Sequence, residues 1–192
     1  MRGLLAKNHP HLTVDVVVPE EPLDSHIAWI LGPTLPTLPD ETDLILLLDT
    51  SLVSRTKLAH EAFHDRDILS IDHHESFPDA IAGYRDSTAP SNTILLTEMA
   101  EILGWIIDAS TATALLMGIY TDTGGFIHRN TDARALSTAA RLLDLGGDQS
   151  AIAQKTFGNY SLEYLHHLGQ GLLAIEIVDS VAILCLPPAL ES

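Results

Sequence analysis

Cysteine is nearly absent. Cys185 stands alone, so no disulfide can close within the chain, which suits a reducing compartment. Basic residues are scarce as well: ten Lys and Arg stand against 26 Asp and Glu, for a formal net charge of −16. That balance argues against a basic groove along long nucleic acid, whose binding is dominated by phosphate neutralisation. It leaves room for a small phosphorylated substrate held by a metal and a few local groups, since acids gathered in a cleft hold cations. No apolar run approaches the length of a membrane span. The opening MRGLLAKNHPHL turns polar too soon for a signal peptide. A cytoplasmic protein without membrane partners is expected. There is no internal repeat and no low-complexity segment. Aromatic residues make up only 5%, and Trp29 and Trp105 read as packing groups rather than stacking platforms.

What is present is apolar content, 46% of 192 residues, enough for a core without covalent staples. LTVDVVVPEE (12–21) reads as a strand, followed by a proline-punctuated stretch with a short helical piece near Ser25 to Ile30. DLILLLDTS (43–51) and ILSID (68–72) are apolar runs without alternation, as in parallel strands buried on both faces. LVSRTKLAHEAFHD between them reads as a helix. Asn92 to Gly104 follows helical spacing, with Ile94, Leu95, Met99, Ile102 and Leu103 on one side. Ser110 is expected to cap TATALLMGIY, whose small residues suggest tight packing. Further helices are expected over Asp132–Leu145, closed by Gly146-Gly147, and over Ser150–His167. A hairpin is expected around Val178-Asp179-Ser180. Strands alternating with helices give an α/β class with a mostly parallel sheet and helices on both faces.

Two acids stand where the apolar strands run out: Asp49 after LILLL, and Asp72 after ILSI with His73 and His74 directly behind it. Ligands of open parallel sheets bind beyond the carboxyl ends of the strands, so these four residues are expected in one crevice. Asp122, in TDTGGF, supplies a third acid beside paired glycines that admit close backbone approach. Carboxylate with neutral imidazole suits Mn²⁺, Zn²⁺ or Fe²⁺ better than Ca²⁺. A carboxylate can bridge two ions about 3.5–4 Å apart, and such pairs activate water and clamp phosphoryl oxygens. Each residue alone has a plainer reading: Asp49 as a strand-end turn residue, Asp122 as a cap or turn former. HDRD (64–67) reads as a solvated connection and His166-His167 as surface. His9, His11 and His26 have no partners in view.

The order LLLLDTS, SIDHH, APSNT opening a helix, then GIYTDTGGF and HRNT resembles the DHH phosphoesterases across nearly all of residues 10–160. The loop is most similar to the oligoribonuclease/3′-phosphoadenosine 5′-phosphate phosphatase branch. Related cyclic dinucleotide phosphodiesterases share a similar loop, whereas manganese pyrophosphatases and single-strand exonucleases match it less well. The resemblance implies that Asp49 bridges two Mn²⁺ ions, that His73 and Asp122 bind the second, and that His74 faces the scissile phosphate. Asp72 would orient the imidazoles. Thr93, His128, Arg129 and Asn130 would lie near the substrate, and the Arg129 fork suits phosphate. A metal-bridged hydroxide would attack phosphorus in line.

The chain also departs from that pattern. The family begins with a strand ending in a His-x-x-x-Asp-x-Asp type motif that supplies the remaining metal ligands, and here Met1 to Leu5 reads as the helix after it. At the other end, Leu172–Leu186 reads as the opening hairpin of a DHH-associated domain. The expected organisation is therefore residues 1–165 as a DHH domain lacking its N-terminal motif, and 166–192 as linker and hairpin of a shortened second domain. An unpaired strand edge follows from the missing strand. The expected function is hydrolysis of short oligoribonucleotides or small nucleotide phosphates, weakened by truncation. Alternatives are a cyclic dinucleotide phosphodiesterase, a pyrophosphatase, or a non-catalytic metal- or nucleotide-binding remnant. Oligomeric state stays open, a homodimer included.

Overall fold

The computed structural model describes residues 1–19, 25–75, 77–157 and 160–184. Cys185 and the side chain of His26 lie outside the described part. The chain divides into two compact units, Met1–Ile152 and Ala153–Ser192.

In the first unit, strands β1 (Leu44–Leu48), β2 (Asp67–Asp72) and β3 (Gly83–Arg85) form a parallel sheet in the order β1-β2-β3. The α/β class is as expected. Pleating sends alternate residues to opposite faces. Ile45 and Leu47 join Phe63, Val53, Leu58 and Ile68 in a small cluster, while Leu46 and Ile71 join the main core. The strand ends are less buried than the apolar run implies: Leu44 and Leu48 are exposed, because β1 is the edge strand of the described sheet.

The first unit also holds the helices α1 (Arg2–Asn8), α2 (Ser25–Leu31), α3 (Asn92–Ile102), α4 (Ala109–Asp122) and α5 (Ala133–Asp144). Leu4, Ile94, Leu95, Leu116, Ile119 and Leu142 are fully buried and form the centre of the core. Trp29 and Trp105 pack against it, as expected. Gly118 of α4 lies against the Thr93 side chain of α3, where a Cβ would collide; this is the tight packing that the small residues imply.

Several expectations are corrected. Residues 12–19 form no strand: Val17 and Leu35 make one isolated bridge. Pro33 and Pro36 flank Leu35 and cannot donate to a ladder. The helix expected over 52–65 is two 3₁₀ turns, Val53–Arg55 and His60–Phe63. Thr56 donates to the Val53 carbonyl (2.7 Å) and accepts from Leu58 N–H (3.3 Å), a local bonding that competes with helix, and Lys57 adopts φ 59°. Ile102 and Leu103 are exposed rather than on the buried side of α3. Asp108, not Ser110, caps α4, accepting from Thr111 N–H at 2.9 Å and from the Ser110 hydroxyl at 2.9 Å. The last long helix is two, α6 (Gln149–Phe157) and α7 (Leu162–Leu173), the latter capped by Ser161. Gly146 (φ 91°) follows the end of α5, as expected, and Asp132 caps its start.

One cluster pins the turn after β3. Arg134 of α5 donates to both Glu98 oxygens (2.7 and 2.6 Å) and to Asp86 Oδ2 (2.6 Å). The Thr88 hydroxyl and then Arg134 hold the Asp86 carboxyl down to about 2. The stabilisation from Asp86 is therefore present above its unfolded value and is lost as pH falls through about 2. Arg134→Leu leaves two half-buried acids facing each other. It is expected to cost about 1–3 kcal/mol in urea unfolding; a loss too small to measure would mean that the triad is not holding the turn.

In the second unit, β4 (Glu176–Val178) and β5 (Val181–Ile183) pair antiparallel, with Val178 opposite Val181. Asp179 enters the two-residue turn at φ 55°, the left-handed backbone that such turns need. Among the described residues no helix is long and apolar enough to cross a membrane.

Candidate metal centre

The parallel register carries two acids to the same end of the sheet. Leu48 pairs with Ile71, and the next amide, Asp49 N–H, donates to the Ile71 carbonyl at 3.0 Å. Asp49 therefore leaves β1 beside Asp72, the last residue of β2. Its φ is 63°, a left-handed conformation that Asp adopts more readily than most side chains.

Asp49, His73 and His74 each present one ligand atom, and these lie within 4.8 Å of one another. Asp49 Oδ1 is 3.1 Å from His73 Nε2 and 4.0 Å from His74 Nδ1. The other nitrogen of His73, Nδ1, is 3.0 Å from the Ala89 carbonyl oxygen. A carbonyl only accepts, so Nδ1 carries the proton and Nε2 is the atom turned to Asp49. This is the tautomer that a metal-binding imidazole needs, fixed by its backbone partner. The donor set thus fits a divalent transition metal.

His74 differs. Its Nδ1 is 2.7 Å from Asp72 Oδ1, and its backbone N–H donates to the same oxygen at 3.1 Å. Asp72 is only 1% exposed. Burial pushes its carboxyl up, but the bonds from His74 outweigh that and hold it below the ordinary carboxylate value. Asp72 therefore stays ionised and orients His74.

Asp122 closes α4 and is not among the three converging groups. It stands near enough to feel them. Burial raises its carboxyl above the ordinary value, the Ser91 hydroxyl opposes that, and the negative charge of Asp49 adds to it.

His73 is pushed up to about 9, chiefly by its bond to Asp49 against the opposing effect of burial, with Ala89, Asp49 and Asp122 adding to the rise. In the metal-free protein a proton thus sits between His73 and Asp49. That bond stabilises the fold fully below the unfolded value of 6.5 and is lost as pH rises through about 9. A metal must displace the same proton. Metal affinity is expected to climb about tenfold per pH unit below about 9 and to level off above it. Calorimetry in buffers of different ionisation enthalpy should show about one proton released per ion at neutral pH. A pH-independent affinity would remove His73 from the site.

The four residues expected near the substrate are placed differently from one another. Arg129 is exposed and makes no hydrogen bond or ion pair among the described residues. Thr93 is engaged: its hydroxyl is 2.9 Å from Ser91 Oγ, and its methyl lies against Gly118. His128 lies over Gly124, where a Cβ would strike the imidazole. Asn130 donates to the carbonyls of Pro90 (3.3 Å) and Asp122 (3.1 Å). The loop that returns them has Gly124, Gly125 and Phe126 all at positive φ (59°, 70° and 72°). His64 and Asp65 join no three-ligand cluster among the described residues.

Sequence reading missed the Ala89 carbonyl, since a backbone group leaves no mark in the sequence. Ser91 could have been found as a helix cap, and its hydroxyl does accept from Thr93 N–H at 3.3 Å.

No family model matches the chain. A bifunctional oligoribonuclease and PAP phosphatase of Mycoplasma genitalium is 29% identical over 114 residues, 54% of this chain and 36% of the relative. A protein of the same name from Thermus thermophilus is 35% identical over 82 residues, 41% of this chain and 25% of the relative. The matches thus span a third or less to just over a third of those relatives. The crystal structure of an exopolyphosphatase-related protein from Bacteroides fragilis superposes with a TM-score of 0.76, at 23% identity, covering 86% of this chain and 53% of that one. That likeness shows the fold alone. The sequence relatives agree with the resemblance carried by the Asp72-His73-His74 motif and the TDTGGF loop, and the superposition agrees with the α/β fold.

Proposed function

We infer that the chain is a Mn²⁺-dependent phosphoesterase acting on short oligoribonucleotides or small nucleotide phosphates such as 3′-phosphoadenosine 5′-phosphate. The observation that carries this reading is the convergence of Asp49, His73 and His74 at the carboxyl ends of β1 and β2, with Nε2 of His73 turned to Asp49. Asp49 and His73 would hold the ion, and Asp122 would complete the set from the end of α4. A bound divalent ion activates water and stabilises charge on phosphoryl oxygens. The protein's own groups do the rest. Asp72 orients His74 through Nδ1, which leaves the other nitrogen of the ring to meet a phosphoryl oxygen or protonate a leaving group. Arg129, exposed and without a hydrogen bond or ion pair among the described residues, would be available to pair with a second phosphate. The acidic balance agrees with a small substrate rather than a long polyanion.

The test is single-turnover hydrolysis, with protein in excess over a labelled diribonucleotide or 3′-phosphoadenosine 5′-phosphate, with and without Mn²⁺. Turnover that needs Mn²⁺ and falls about 100-fold or more in His74→Ala is expected. Retained Mn²⁺ and nucleotide binding without any turnover would overturn the hydrolase reading in favour of a non-catalytic binding protein.

A further inference from the structure

Asp122 and His73 come from distant parts of the chain, and something must set the distance between them. His73 is oriented by the carbonyl of Ala89, in the turn between β3 and α3. Asp122 ends α4, where the last carbonyls of a helix have no partner within it. The side chain of Asn130 bridges the turn and the helix end. Asn130 Nδ2 donates to the Pro90 carbonyl, one residue beyond Ala89, and to the Asp122 carbonyl itself. A single amide nitrogen can serve both only if the two carbonyls stand on the same side of it. The bond also holds Ser91, the next residue, where its hydroxyl acts on the Asp122 carboxyl. The three consecutive left-handed residues, Gly124 to Phe126, bring Asn130 back to this point. His128 adds only a longer approach, 3.4 Å from Nδ1 to the same Asp122 carbonyl.

We propose that Asn130 is a positioning residue of the metal centre: its amide clamps the Pro90 and Asp122 carbonyls together and so sets Asp122 relative to His73, without touching the substrate. This rests on the reading of Asp49, His73 and Asp122 as metal ligands. It differs from the role that the family resemblance implies for Asn130, which is beside the substrate.

The experiment compares the wild-type chain with Asn130→Leu, which keeps the volume and removes the donors, and with Asn130→Ala. Mn²⁺ affinity is read from the signal of free Mn²⁺ in electron paramagnetic resonance. The binding of 3′-phosphoadenosine 5′-phosphate is read at saturating Mn²⁺, and folding is read from thermal unfolding. Residues that hold ligands in place typically contribute 10–100-fold to metal affinity. Both variants are expected to weaken Mn²⁺ by about tenfold or more, with nucleotide affinity at saturating Mn²⁺ within about twofold of wild type, at a temperature where all three are folded. Unchanged Mn²⁺ affinity with weakened nucleotide binding would overturn the proposal and return Asn130 to the substrate. Unchanged values for both ligands, with only a lower unfolding temperature, would overturn it in favour of a purely structural bond. If the folded wild type binds no Mn²⁺, the metal reading itself fails, and the proposal falls with it.

Discussion

Asp49→Asn is expected to weaken Mn²⁺ binding by about 100-fold or more while leaving the fold intact. Asn shares the tolerance of Asp for left-handed backbone, so the φ of 63° at this position is kept. The side chain is more than half exposed, so no buried packing is lost. What disappears is the charge that faces His73 Nε2 at 3.1 Å. The same substitution should bring His73 down from about 9, because its bond to Asp49 is the largest cause of that rise. The two effects have separate readouts, calorimetric titration of Mn²⁺ and proton NMR titration of the imidazole. A metal affinity within about threefold of wild type would mean that the carboxylate is not a ligand and that its partner is the His73 proton alone.

Gly83→Ala is expected to be the most damaging single substitution near the site. Gly83 pairs with Ser70 across β2 and β3, and a Cβ there would run into the Ser70 carbonyl oxygen. The obstacle is backbone, so no rotamer relieves it. Ser70 is itself committed: its N–H donates to the Ala82 carbonyl at 3.0 Å and its hydroxyl to the Ile81 carbonyl at 2.9 Å. Relief requires β3 to leave the sheet, and with it goes the turn that presents the Ala89 carbonyl to His73. A loss of roughly 3 kcal/mol in urea unfolding is expected, with weakened Mn²⁺ binding in whatever fraction stays folded. A loss under about 1 kcal/mol would show that β3 can shift without cost and is not what holds the turn.

The convergence of the two strand ends was legible because two apolar runs each stop at an acid, and parallel strands put those stops at the same end. His73 and His74 follow from adjacency to Asp72. Less legible were features that depend on partners distant in sequence. The three residues of β3 are too few to show a period. The clamp at Asn130 joins residues 40 positions apart, and the Arg134 triad joins residues 36 and 48 apart. Local chemistry misled in both directions. LTVDVVV has the composition of a strand, but Pro33 and Pro36 deny it a ladder beyond Val17. The stretch after Ser51 has helical spacing, but Thr56 bonds its own neighbours and Lys57 turns left-handed. At the site, the backbone of Asp49 could not be read from the apolar run before it, and the role of Asn130 could not be read from its place in HRNT.

The most direct test of the account is calorimetric titration of Mn²⁺ into the folded chain, beside His73→Ala and Asp122→Ala. The wild type is expected to bind, His73→Ala to abolish that binding and Asp122→Ala to weaken it by about tenfold or more. A folded wild type that takes up no Mn²⁺, or a His73→Ala variant that binds as the wild type does, would contradict it.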